Sequence, residues 1–131
     1  DPDRREDSRN LHRTRFNWDN AALRTQPGTV QQRIWDGLRR LEELRAGERC
    51  FGPDAWVTTW DTGNRQVLAL VRRVEGETLT CLFNFSDQFQ TVHMDAMEGE
   101  LEDLITGERG PCSTRQLWPY QYCLCRRRDG Q

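Results

Sequence analysis

The apolar positions of this chain change period near its middle. Val30, Ile34, Leu38, Leu41 and Leu44, with Gly37 beside them, recur at helical spacing, while Arg33, Arg39, Arg40, Glu42, Glu43 and Arg45 fill the opposite side. Thr29 precedes this stripe and Gln32 stands three residues later, the spacing of a capping box. The pattern predicts a helix from Thr29 that ends near Arg45–Gly47 and needs an apolar surface to lie against. Before it, Trp18–Arg24 predicts a short helix stopped by Gln26-Pro27-Gly28.

After Cys50-Phe-Gly-Pro-Asp the period becomes that of strands. Strands are expected over Ala55–Asp61, Gln66–Arg73, Thr78–Phe85, Phe89–Met94, Glu100–Leu104 and Leu117–Arg126. Thr62-Gly63-Asn64, Glu75-Gly76, Ser86-Asp87 and Thr106-Gly107 supply turns between them. Short strands at this spacing predict an antiparallel β-sandwich or barrel. Residues 1–18 show no period and are dense in charge, which fits an arm or a loop facing a site.

A length of 131 residues suits about one domain and excludes a multi-domain enzyme within the chain. Charged residues make up 31% and mean hydropathy is −0.91, yet twelve aromatic residues (five Trp, five Phe, two Tyr) argue against disorder. No apolar run is long enough to span a membrane, so no membrane partner is expected. All 19 basic residues are Arg, and net charge is −2. Residues 50–125 hold 5 Arg against 11 acids, and Arg126–Arg128 form a short basic tail that reads as a solvated terminus. Nucleic acid, which needs a basic face, is therefore not an expected partner.

The five cysteines, Cys50, Cys81, Cys112, Cys123 and Cys125, are odd in number and lack zinc-ribbon spacing. No metal site and no disulfide framework are expected, and a reducing, cytoplasmic compartment follows. On a strand, Cys123 and Cys125 share a face as small buried hydrophobes. Acid pairs such as Glu6 with Asp7, or Glu102 with Asp103, are read as solvated charge, because nothing places either pair around a bond. His93 is read as a neutral strand residue without a partner. Trp56, Trp60 and Trp118 are read as core or interdomain packing residues, with a sugar-stacking surface as the alternative.

Several stretches in this order resemble the C-terminal end of the alpha-amylase family of glycoside hydrolases and transglycosidases. Glu6-Asp7-Ser8-Arg9, His12-Arg13 and Phe16-Asn17-Trp18 look like the loop after the eighth barrel strand, with Arg15 where relatives often carry Pro. TVQQRIWDGLRRLEELR (Thr29–Arg45) looks like the last helix of a (β/α)8 barrel. Leu82–Asp87 (LFNFSD), Asp103–Glu108 (DLITGE) and Leu117–Leu124 (LWPYQYCL) look like hallmarks of the C-terminal β-domain. Within the family, the charged run before Ser8-Arg9 and the His12-Arg13 pair resemble amylosucrase-like sucrose-active enzymes.

The resemblance implies a mainly β fold: an antiparallel β-sandwich preceded by a loop and one long amphipathic helix. It implies that residues 1–49 end a catalytic barrel and 50–131 form the C-terminal antiparallel β-domain. The implied parent is a retaining glucosyltransferase or glycosidase acting on sucrose or α-glucan without a cofactor. Its nucleophile and acid/base sit on middle barrel strands, so no catalytic residue is expected in this chain. Arg9 matches the arginine at the floor of the sugar pocket, and His12 is placed at the pocket mouth as a second substrate-binding candidate. Arg13 and Trp18 are structural candidates. The implied partner is the remainder of the barrel, on the same or another chain. The alternatives are a free-standing carbohydrate-binding β-domain, or a subunit that completes a barrel supplied by another polypeptide.

Overall fold

The computed structural model describes residues 15–94, 99–111 and 113–128. The chain divides into two units, 1–42 and 43–131. In the first, Asn17 caps helix α1 (Trp18–Ala22) by accepting from the Asn20 amide at 2.9 Å. A 3₁₀ turn, Leu23–Thr25, then leads to Gly28, whose φ of 84° reverses the chain.

Helix α2 (Val30–Gly47) follows and runs across the division between the units. Thr29 is its cap as expected, accepting from the Gln32 amide at 3.1 Å. The reciprocal half of the capping box is altered: Gln32 Oε1 accepts from the Gly28 amide at 3.4 Å. Gln32 Nε2 donates instead to Asp36, one turn on. The guanidinium of Arg24 sits 5.5 Å from the centre of the Trp35 ring. No residue of α2 is buried, and Val30, Ile34 and Leu38 are each more than half exposed.

The second unit is an antiparallel β-sandwich. Its large sheet has the order β1-β2-β3-β8-β5-β6, built from β1 (Trp56–Trp60), β2 (Val67–Val74), β3 (Glu77–Asn84), β8 (Tyr122–Arg128), β5 (Glu100–Asp103) and β6 (Arg109–Pro111). Its small sheet pairs β4 (Gln90–Val92) with β7 (Arg115–Leu117). The main core lies between the sheets, where Val67, Ala69, Leu82, Cys123 and Cys125 meet Val92, Met94 and Leu117. The other face of the large sheet carries Leu79, Cys81 and Leu124, packed with Cys50 from the 3₁₀ turn Arg49–Phe51. Strand β3 is therefore covered on both faces. Its near-continuous apolar reading, TLTCLF, reflects that position rather than an alternating, half-wet strand.

Two strand assignments differ from the expectation. Leu117–Arg126 is not one strand. The chain leaves β7 after Leu117, turns through Trp118–Gln121, and joins the large sheet as β8. Pro119 lacks an amide for a ladder, and Tyr120 takes a φ of 57°, which a continuous strand does not allow. Strand β6 was not anticipated, because Arg109-Gly110-Pro111 shows no apolar alternation and forms only by pairing with β5.

Candidate functional site

The expected substrate-binding residues Arg9 and His12 and the structural candidate Arg13 lie outside the described residues, as do Glu6, Asp7 and Cys112. Trp18 opens α1, is 76% exposed, and packs edge-on against Phe16 with ring centres 4.7 Å apart. The described chemistry therefore belongs to the β-unit, at three places.

The first is the end of the sandwich where the N-F-S stretch meets the L-W-P-Y corner. Asn84 is 3% exposed at the end of β3. Its Nδ2 donates to the carbonyls of Gln88 and Trp118, both at 2.8 Å. Its Oδ1 accepts from the Ser86 amide at 2.9 Å and the Ser86 hydroxyl at 2.7 Å. Tyr120 N donates to the Ser86 carbonyl at 3.1 Å, closing the two loops on each other. One buried carboxamide thus satisfies backbone groups of two turns that are over thirty residues apart. That explains an Asn rather than an Asp here, because donor and acceptor ends are both used.

This corner presents aromatic rings outward. Phe89 and Trp118 lie 4.5 Å apart with 60% and 63% of their surface exposed. Phe85 and Tyr120 are exposed nearby in sequence. Phe85 also borders a groove of about 500 Å³ lined with Trp60, Asp61, Thr62, Asn64, Arg65 and Gln66. Of the three expected packing tryptophans, only Trp60 joins the core. Trp56 and Trp118 are largely exposed and so lie outside the core of this chain. His93 is not partnerless either, since its Nδ1 lies 3.1 Å from the Thr114 hydroxyl.

The second place is an ion-pair knot. Arg126, expected in a solvated tail, lies in β8 with its side chain only 17% exposed. Its Nη1 donates to Glu48 Oε2 at 2.9 Å and its Nη2 to Glu102 Oε2 at 2.6 Å. Glu102 also receives Arg109 at 3.3 Å. Glu102 and Asp103 are accordingly not solvated charge: the first is ion-paired, and the second is 5% exposed and accepts from the Ile105 amide. The Arg126 hydrogen bond, followed by that of Arg109, holds the Glu102 carboxyl below its ordinary range against some opposing burial. Glu48, Cys50 and Glu77 also bring three metal-type donor atoms within 4.8 Å of one another. Arg126 already pairs with Glu48, and Arg49 and Arg128 with Glu77, so the carboxylates are neutralised by guanidinium groups.

The third place is the thiol pair Cys123 and Cys125. They share a face as expected, with sulfurs 3.0 Å apart in the main core. Sequence reading missed Glu48 and the tie at Arg126 because their partners are 78 and 24 residues apart along the chain. No local periodicity carries such information.

Among the described residues, no helix is long and apolar enough to cross a membrane. Residues 57–124 match the family described as Maltogenic Amylase, C-terminal domain. Among solved structures, the chain is similar to a mutant of the trehalulose synthase MutB from crystals soaked with trehalulose. That likeness has 21% identity and a TM-score of 0.63, over 72% of this chain and 18% of that one. An AmyP variant in complex with maltotriose is 17% identical, with a TM-score of 0.67 over 77% of this chain and 22% of that one. MutB from Pseudomonas mesoacidophila is 20% identical, with a TM-score of 0.61 over 71% of this chain and 17% of that one. The likeness is one of fold, and the chain spans roughly a fifth of the length of those structures.

Proposed function

The chain belongs to the maltogenic amylase C-terminal domain family, a C-terminal part of alpha-amylase-family enzymes, and on that premise we propose that it is a non-catalytic segment of a larger amylosucrase-like enzyme. In this reading residues 1–49 finish the catalytic barrel and 50–131 brace it. The observation that carries it is the β-sandwich closed by the Asn84 corner, in a chain whose long helix keeps an apolar stripe uncovered. An 18-residue helix with no buried residue needs a partner surface, and the outer ring of a barrel provides one.

The enzyme would transfer glucose from sucrose to an α-glucan or to water with retention. Two carboxylates about 5–5.5 Å apart, supplied by the rest of the barrel, would form and then resolve a glucosyl intermediate. Arg9 would close the far end of the glucosyl pocket by a bidentate pair with a barrel carboxylate, which a planar, permanently charged guanidinium suits. His12 would stand at the mouth, and Arg13 and Trp18 would hold the loop to the barrel rim. This chemistry requires no cofactor. The free thiols of Cys50, Cys81, Cys123 and Cys125 support a reducing, cytoplasmic compartment.

Reading the coding sequence upstream of the Asp1 codon tests the assignment. A continuous frame encoding barrel strands and their carboxylates is expected, and a start codon directly before Asp1 would overturn it. In that enzyme Arg9→Ala should lower sucrose turnover at least about tenfold, as misplacement of the bound ring implies. Unchanged turnover would remove Arg9 from the pocket.

The groove beside Trp60 and Phe85, with the exposed Phe89–Trp118 pair, favours a second reading as a carbohydrate-binding β-domain. It predicts tryptophan quenching by maltooligosaccharides that is lost in Trp118→Ala. No quenching at millimolar sugar would reject it.

A further inference from the structure

The large sheet ends on β1 at one side and on β6 at the other. A sheet edge offers unpaired amides and carbonyls to any strand that meets it, and proteins blunt such edges with charge, proline, bulges or very short strands. Strand β6 is guarded in this way, being only Arg109-Gly110-Pro111. Strand β1 is not. Trp56-Val-Thr-Thr-Trp60 carries no charge and no proline, pairs with β2 over its whole length without a bulge, and exposes its first four residues. Trp56 is 71% exposed and Val57 47%. Among the described residues no strand pairs with the outer side of β1.

The ladder tells which backbone groups of β1 point outward. Phe85 N donates to the Gln66 carbonyl at 2.9 Å, one step before the pairs Val67–Asn84 and Leu68–Phe83. Hydrogen-bonded pairs alternate along an antiparallel ladder. The even-numbered residues of β2 therefore turn their backbone groups to β3, and the odd-numbered ones to β1. Through the register Arg73–Trp56, Val71–Thr58 and Ala69–Trp60, the groups of Trp56, Thr58 and Trp60 serve β2. Those of Val57 and Thr59 face away from the sheet. The side chains of Trp56, Thr58 and Trp60 share a face, the one on which Trp60 packs against the main core.

We propose that β1 is a self-pairing edge: two copies of this chain join β1 to β1, antiparallel, about a two-fold axis at Thr58. The strand, W-V-T-T-W, is nearly its own reverse, and the parity fits. Val57 meets Thr59 of the partner subunit through the outward amide and carbonyl groups of both. Trp56 then stands opposite Trp60 of the partner subunit, and Thr58 opposite its own copy, at the non-hydrogen-bonded positions. There Cα atoms approach to about 4.5 Å and side chains are closest, which suits cross-strand aromatic pairs. Neighbouring registers lose this match. A two-fold at Val57 sets Trp60 against Asp54 of the partner subunit, and one at Thr59 sets Trp56 against Thr62 of the partner subunit. Two tryptophan pairs and one strand edge make a small interface, at the low end for specific association, so a dimer in the micromolar range is expected. The pairing uses the β-unit alone and does not depend on the barrel.

Analytical ultracentrifugation of the full 131-residue chain under reducing conditions should show a monomer–dimer equilibrium in that range. Thr58→Lys sets like charges against each other at the axis and should weaken the dimer at least about 10-fold. Ile34→Glu, on the exposed stripe of α2, should leave it unchanged. Oxidation reads the register separately. Thr58→Cys should cross-link two chains, because its copies would lie within the Cα range of about 4.4–6.8 Å that a disulfide spans. Val57→Cys should not, its copies being offset by two residues along the strands. A monomeric chain would leave the edge to a different strand and overturn the proposal, as would a dimer that survives Thr58→Lys or one lost in Ile34→Glu alone. Equal cross-linking in the two cysteine variants would overturn it too. If Thr58→Lys fails to fold by circular dichroism, the cross-linking pair decides.

Discussion

Replacing Arg126 with Met would test whether the ion-pair knot holds the Glu48 turn to the sheet. The guanidinium joins Glu48, whose side chain is 3% exposed, to Glu102, which is 25% exposed. Without Arg126, Glu48 loses its ion-pair partner in a nearly dry site, and breaking a buried pair by removing one partner costs about 3–5 kcal/mol. Glu102 adds less than about 1 kcal/mol, because it sees water and retains Arg109. A loss of about 3–5 kcal/mol is a large share of a small domain's total stability. Urea unfolding followed by tryptophan fluorescence and far-ultraviolet circular dichroism measures it. Glu48→Gln in the same background should recover most of the loss, since the carboxamide oxygen can still cap the Cys50 amide that Glu48 Oε1 now accepts at 3.3 Å. A loss below about 1 kcal/mol in Arg126→Met, or no recovery in the double variant, would refute the reasoning.

The remaining expectations concern smaller features. Glu102 has a depressed folded pKa, so its contribution is present above the ordinary carboxylate value of 4.5 and is lost as pH falls through the folded value. Unfolding midpoints measured from pH 7 to pH 2 should show this acid loss, and Glu102→Gln should flatten it. Asn84→Ala removes hydrogen bonds to two turns and should cost about 2–4 kcal/mol, read by chemical denaturation. Asn84→Asp should also destabilise, because it removes the donor end. Thr29→Ala should cost about 1 kcal/mol and shorten α2 at its start, visible as reduced helical circular dichroism.

What the sequence revealed depended on how local each cause was. Thr29 announces its helix within three residues, and the turns at Gly63 and Gly76 are set by a backbone that only glycine adopts readily, with φ of 69° and 78°. The sandwich was legible because each strand brings its own apolar pattern. The break at Pro119-Tyr120 was not, since Leu117 and Cys123–Cys125 are all buried and read as one apolar run. Strand β6 has no pattern of its own and exists through its register with β5. The N-F-S stretch was legible as a motif, but the reason for Asn84 appears only when the Trp118 carbonyl arrives from another loop. Arg126 looked like one charge in a basic run; a partner 78 residues away made it part of the interior. Trp56 and Trp118 are the opposite case, large apolar residues that the fold of this chain leaves outside its core. Of the candidate site, Arg9, His12 and Arg13 rest on the resemblance, and only Trp18 lies among the described residues.

Glucose release is the most direct measure of the central claim, that this chain shapes an enzyme without performing its chemistry. The purified chain should release no glucose from sucrose or maltooligosaccharides. Under the proposed function, the chain joined to the proposed barrel should turn sucrose over. Glucose release by the chain alone would contradict the account.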